Sequence, residues 1–228
     1  MTPKTGFVQI AYDRILHDIL SFKLKPGDSV SDYQLSKDIG MSRTPVREAI
    51  RKLMYDSLVV IDNGKTVVAD ISEEDIRDIT ELRSALERQA IEILITRRPL
   101  SAESIAQMRQ LNVDLEQAIR TRDFRLNFDI EDRFHGLIVK SCGNQRIIEA
   151  YQQYHLLIVR ARWLSLFYPD YEPTLKEHEA IVDALEKKSR EDALAAMDKH
   201  MFSSYKHFSR VFTDPEIRAA ARFVALLK

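Results

Sequence analysis

Two groups of side chains have the types and spacing to do chemistry. The first lies in Ser42-Arg43-Thr44-Pro45-Val46-Arg47-Glu48-Ala49-Ile50-Arg51-Lys52-Leu53. On a helix, at about 100° per residue, Arg43, Arg47 and Arg51 drift by only about 80° in all and form one cationic ridge with Thr44 beside it. Val46, Ala49, Ile50 and Leu53 form an apolar flank on another side. A helix that packs by one side and offers arginines on another suits a DNA major groove. The arginines alone would equally fit a solvated surface helix.

The second group is more scattered. Phe128, Glu131, His135 and Ile138 fall along one helical strip, with Asp132 on its other side. A carboxylate and a histidine at i,i+4 can reach one metal ion from one helix face. His178 and His200 lie on two later helical segments, and antiparallel packing of those segments would bring both imidazoles toward His135. Three neutral imidazoles and a carboxylate suit Zn²⁺ or another late first-row ion better than Mg²⁺ or Ca²⁺. Spacing alone leaves open that the three histidines are unrelated. His17, His155 and His207 have no matching partner pattern and read as surface or packing residues. Arg83 on a long helix, and Arg160 and Arg162 in an otherwise apolar stretch, are candidates for holding an anionic ligand, or for salt bridges. Trp163, Phe167 and Tyr168 read as core or interface.

The elements that must position these groups follow from local signals. Phe7 to Phe22 has a helical apolar stripe, ended by Lys25-Pro26-Gly27-Asp28. Ser31 is an N-cap for a short helix, Asp32 to Ile39, and Gly40 suits its C-terminal stop. Pro45 falls in the first turn of the arginine helix, where a missing N–H costs little. Two helices about three residues apart have helix-turn-helix spacing. Leu58 to Ile61 and Thr66 to Ala69 flank Asn63-Gly64, a strong hairpin signal, so a wing follows, with Gly64 and Lys65 at its tip. From Ser72 onward the pattern is helical throughout. Helices are expected over about 72–98, from Ser101 past Ile119, over 123–140 and over 145–168, with a loop at 169–173. Two more flank Lys188-Ser189-Arg190, and a last one begins near Asp214-Pro215. The fold class is mainly α: a winged helix-turn-helix, residues 1–72, and an all-α bundle of six or seven helices, residues 73–228.

Composition narrows the classes further. At 30% charged and 45% hydrophobic residues the chain reads as an ordinary soluble globular protein. No apolar run approaches membrane-spanning length, and the N-terminus lacks signal-peptide character. A single cysteine, Cys142, excludes an internal disulfide framework and fits a reducing cytoplasm. Net charge is −1, yet Ser36 to Tyr55 holds five Lys/Arg against two acids, so any polyanion contact is local.

Pro26-Gly27, Leu35 to Gly40, the Ser42-to-Ile50 core, Leu53 and Leu58-Val59 resemble the GntR family of bacterial transcription regulators. That resemblance implies a homodimer reading operator DNA with the recognition helix and wing. The candidate DNA-contacting set is Ser42, Arg43, Thr44, Arg47, Arg51, Gly64 and Lys65. The C-terminal region resembles the FCD ligand-binding domain of the fatty-acid-regulator branch. The matching pieces are Leu82-Arg83 with Glu87, Arg133 to His135, Gly143-Asn144, Glu177-His178 with Ile181 and Ala184-Leu185, and Ala193 through Met197 to His200. In many members of that branch an aspartate and three histidines bind a metal. The histidines map to His135, His178 and His200, and the aspartate to Glu131, with Asp132 the alternative. The resemblance implies a bound metal that holds a small organic or sugar acid effector, with Arg83 matching a family arginine; the donor set makes a divalent transition metal, Zn²⁺, the expectation, and Arg160 in its apolar stretch is the second candidate effector-binding residue. The expected function is a cytoplasmic, ligand-responsive DNA-binding regulator rather than an enzyme. Alternatives are a regulator that senses the metal itself and, less favoured, a metal-dependent hydrolase carrying a DNA-binding module. The linker at 69–74 would couple the two parts.

Overall fold

The computed structural model describes residues 3–21, 23–164 and 172–216. They form two compact units that divide between Ser72 and Glu73. The first holds α1 (Pro3–Leu20), α2 (Asp32–Ile39), α3 (Arg43–Tyr55), β1 (Val59–Asp62) and β2 (Lys65–Val68). The second holds α4 (Glu73–Thr96), α5 (Ala102–Thr121), α6 (Phe124–Ser141), α7 (Gln145–Leu164), α8 (Glu172–Lys187) and α9 (Arg190–Thr213).

In the first unit α3 packs against α1 and α2, burying its Val46, Ala49, Ile50 and Leu53, while α1 buries Ala11 and Ile15 and α2 buries Leu35. The Ser31 hydroxyl accepts from the Gln34 N–H at the start of α2. Gly40 closes that helix in the left-handed region (φ 75°), and the Met41 N–H returns to the Ser36 carbonyl. The two helices are thereby separated by a turn with a fixed geometry. β1 and β2 pair antiparallel with Asp62 opposite Lys65. Between them Asn63 (φ 48°) and Gly64 (φ 76°) both take positive φ, the requirement of the two-residue turn that matches strand twist. The Pro26-Gly27 segment does more than break α1. Gly27 N–H donates to the Val68 carbonyl, and Val30 N–H to that of Thr66, so this stretch lies along β2 as a third extended segment.

The second unit is a bundle in which α4 packs on α6, α7 and α9, α5 on α6 and α8, and α8 on α9. Its core is built from Ile91, Leu94, Met108, Leu111, Leu115, Phe134, Ile138 and Ile181, all nearly inaccessible. Ser101 caps α5 by accepting from Ser104 N–H, and Asp123 caps α6 by accepting from Leu126 N–H. No strand occurs in this unit among the described residues. Of the loop expected over 169–173, residues 169–171 lie outside the described residues, and Glu172 and Pro173 already belong to α8. Pro173 therefore sits in a first turn, where the backbone N–H has no intrahelical partner to lose. The expected helix beyond Asp214-Pro215 lies largely outside the described residues. So do residues Phe167 and Tyr168 and the side chains of Arg162 and Trp163. No helix among the described residues is long and apolar enough to cross a membrane.

Candidate metal centre and nucleic-acid interface

His135 projects from α6 one turn after Glu131, His178 from α8 and His200 from α9. One ligand atom from each of these four residues lies within 4.8 Å of the other three. The three imidazoles are buried, at 0%, 0% and 1% exposure, so nothing solvates them except each other and the bundle wall. His135 Nε2 faces His200 Nε2 at 3.2 Å and Glu131 Oε2 at 3.7 Å. His178 Nε2 faces Glu131 Oε1 at 3.6 Å, and its ring stacks on Phe134 with centroids 3.8 Å apart and planes 2° from parallel.

Buried carboxylates set the orientation of two of the rings. Glu87 on α4 accepts from His135 Nδ1 at 2.6 Å and from Arg83 Nε at 2.7 Å. Glu177 on α8 lies 3.2 Å from His200 Nδ1 and accepts from the Ser203 hydroxyl at 2.6 Å. An ionised carboxylate can only accept, so both Nδ1 atoms carry the proton. When both rings are neutral, the two Nε2 atoms present lone pairs to one another across 3.2 Å. Two facing lone pairs repel, and a cation shared between them removes the conflict. Burial, then the neighbouring Arg83 charge, push His135 well below its ordinary range, against the pull of Glu131. His135 is therefore neutral, the form that ligates metal. Carboxylate–histidine pairs of this kind fix tautomer and ring angle in metal sites. The donor set fits a divalent transition ion. Metal–nitrogen bonds of about 2.0–2.1 Å at a tetrahedral angle place two nitrogens about 3.3 Å apart, close to the observed separation.

The two adjacent acids are placed differently. Glu131 belongs to the cluster, whereas Asp132 turns to His155 Nε2 at 3.3 Å. His155 thus has a carboxylate neighbour that its spacing did not suggest. Arg83 and Arg160 are both buried, at 3% and 4% exposure. Burial disfavours the Arg83 charge, but Glu87 and its other neighbours outweigh this and raise its pKa. Arg83 Nη2 is buried and makes no hydrogen bond among the described residues. Glu87 and Glu177, which orient the imidazoles, had no such role in the sequence reading. Glu87 was legible in principle: it lies four residues from Arg83, and both fall on the stripe that buries Ile76, Ile79, Ala90 and Leu94. Glu177, next to His178, gave no such signal, since neighbouring helical residues diverge.

On the first unit, Ser42, Arg43, Thr44, Arg47 and Arg51 are exposed along α3, and Gly64 and Lys65 at the hairpin tip. The Ser42 hydroxyl makes no capping bond. Arg43 and Arg47 both reach Asp32 on α2, and Arg51 pairs with Glu48 at 2.7 Å.

Residues 78–203 match the FCD domain, and residues 8–68 match the bacterial regulatory proteins of the gntR family. The chain is 28% identical to the uncharacterized HTH-type transcriptional regulator YdhC of Bacillus subtilis, over 89% of this chain and 91% of that one. It is 26% identical to the gluconate operon transcriptional repressor of Bacillus licheniformis, over 80% and 76% respectively. Among solved structures, Escherichia coli McbR/YncC superposes with a TM-score of 0.76 at 18% identity, covering 90% of this chain and 98% of that one, a likeness of fold. With both matches falling on the units described above, the chain belongs to the GntR family of bacterial transcription regulators and carries an FCD domain C-terminal to its winged helix-turn-helix.

Proposed function

We propose that this regulator binds operator DNA as a cytoplasmic homodimer and is modulated by a small organic or sugar acid held at a Zn²⁺ ion in its helical domain. The observation that carries the metal reading is the pair of facing Nε2 atoms, each on a ring whose Nδ1 is committed to a buried carboxylate. Glu131, His135, His178 and His200 would hold the ion. A bound Zn²⁺ supplies a Lewis-acidic position for a carboxylate oxygen. The Nη2 of Arg83, buried and with no hydrogen bond among the described residues, supports an anionic ligand in the bundle. Arg160 is the second arginine proposed for effector binding. The relative named for the gluconate operon supports a sugar acid as the effector class.

DNA contact is assigned to Ser42, Arg43, Thr44, Arg47, Arg51, Gly64 and Lys65. The arginines would read base edges or phosphates in the major groove, and Lys65 would take a phosphate or the minor groove beside the wing. Regulation would be a population shift, in which effector binding favours one relative placement of two winged units on two half-sites. A gel-shift titration against operator duplex, run with a panel of small carboxylates with and without chelator, tests this. Modulation of affinity by one carboxylate, abolished by chelator, is expected. Affinity that responds to metal alone, with every carboxylate silent, would instead favour direct metal sensing.

A further inference from the structure

One carboxylate holds both leading arginines of the recognition helix. Asp32, the first residue of α2, accepts from Arg43 Nη2 through Oδ1 at 2.8 Å. Its Oδ2 accepts from Arg47 Nε at 2.9 Å and lies 2.8 Å from Arg47 Nη2. The arginines are about half exposed, whereas the Asp32 side chain is 19% exposed, so the acid sits beneath the pair rather than beside it in solvent. Arg43 also lies over the ring of Tyr33, 5.9 Å from its centroid. Hydrogen bonds from Arg43 and then Arg47 hold the Asp32 carboxyl below its ordinary range.

A guanidinium has five N–H donors in a rigid fork. Arg47 gives Asp32 its side edge, Nε and Nη2, which leaves the end-on Nη1 and Nη2 hydrogens pointing onward. That end is the one able to engage guanine O6 and N7 together. An unrestrained arginine must lose rotamer freedom when it docks, and bracing it in advance lowers that cost for a matching base. The negative charge of Asp32 meanwhile works against indiscriminate phosphate binding, whose strength comes from uncompensated cationic charge.

The geometry points to Asp32 as a positioning residue for sequence discrimination: it orients Arg43 and Arg47 for base edges while weakening their attraction to DNA of any sequence. This rests on the assignment of α3 as the recognition helix. The experiment starts from duplexes that the full-length wild-type protein enriches out of a random pool. Affinities of wild type, Asp32→Asn and Asp32→Glu are then measured on the enriched duplex and on an unrelated one at fixed salt. The Asn variant should bind the unrelated duplex more tightly and the enriched one less tightly. Its ratio of the two affinities should fall about tenfold or more, the scale of one lost bidentate base contact. The Glu variant, which keeps charge and acceptor, should restore most of the ratio. A ratio within twofold of wild type in the Asn variant, or a parallel loss on both duplexes as a merely structural role would give, overturns the proposal and leaves the recognition helix standing. A wild-type protein that enriches no sequence overturns both.

Discussion

Binding of Zn²⁺ should raise the melting temperature of the helical unit, and the rise should vanish when His200 is removed. A ligand that binds only the folded state stabilises it by RT ln(1 + [L]/Kd), about 2.7 kcal/mol at a free concentration of 100 Kd. For a unit the size of Glu73–Arg218, each kcal/mol moves the midpoint by roughly 2–4 °C, so the expected rise is about 5–11 °C. His200→Ala deletes the donor nearest His135 and leaves Glu177 without its imidazole. A hundredfold weaker site at the same free zinc gains only about 0.4 kcal/mol, or roughly 1–2 °C. The stripped variant will itself melt lower, because a buried carboxylate has lost a partner, so the quantity to compare is loaded minus stripped for each protein. Differential scanning calorimetry after chelator treatment and metal-buffered reloading measures it. His17→Ala, which removes an imidazole whose side chain is 64% exposed, is the control and should keep the full rise. Coincident melting of stripped and loaded wild type, or a His200→Ala protein with an undiminished rise, would falsify the four-residue site.

Three further perturbations test separate parts of the molecule. Glu177→Gln keeps an acceptor for His200 Nδ1 and a partner for Ser203, so the fold should persist while metal affinity falls about 10–100-fold in a chelator competition; a change below threefold would remove the orienting role assigned to Glu177. Arg47→Ala should weaken operator binding by about 1–3 kcal/mol in a gel-shift titration, and unaltered affinity would sink its assignment as a base contact. Tyr12, buried and donating to Asp56 at 2.6 Å, has its phenol pushed above the ordinary range first by burial and then by that bond. Its contribution is therefore fully present below the ordinary tyrosine value and is lost as pH rises from there through the raised value. A difference absorbance titration of wild type against Tyr12→Phe should place this phenol above free tyrosine, and Asp56→Asn should lower it part of the way, leaving the share due to burial.

The winged unit was legible almost residue by residue because its signals are local. Ser31, Gly40, Pro45 and Asn63-Gly64 each impose a backbone conformation on their own neighbours, and the helices and turn follow at the expected positions. The start of α8 was misjudged because Pro169 and Pro173 look alike in sequence, although a proline in a first turn does not oppose a helix. For the histidine cluster the sequence supplied the residues but not their meeting. His135 and His200 are 65 positions apart, and only the packing of α4, α6, α8 and α9 brings them together. The preference for Glu131 over Asp132 could not be settled by helical phase alone, since the two lie on adjacent strips and the partner of Asp132, His155, sits on another helix. Asp32 went unassigned because its bonds to Arg43 and Arg47 cross the turn between α2 and α3.

The 65-residue span between His135 and His200 bears on how long each molecule lasts. An ion gripping both would act as a reversible cross-link around that loop, and closing a loop of this length removes substantial freedom from the unfolded chain. Released from the ion, α9 would keep its apolar contacts but lose the clasp that fastens it to α6, and opening of the bundle would become more frequent. Degradation tracks the population of opened molecules when opening and closing outpace cleavage. Cells short of the metal would then hold fewer copies of the regulator as well as less responsive ones, so supply of the ion would set abundance through turnover.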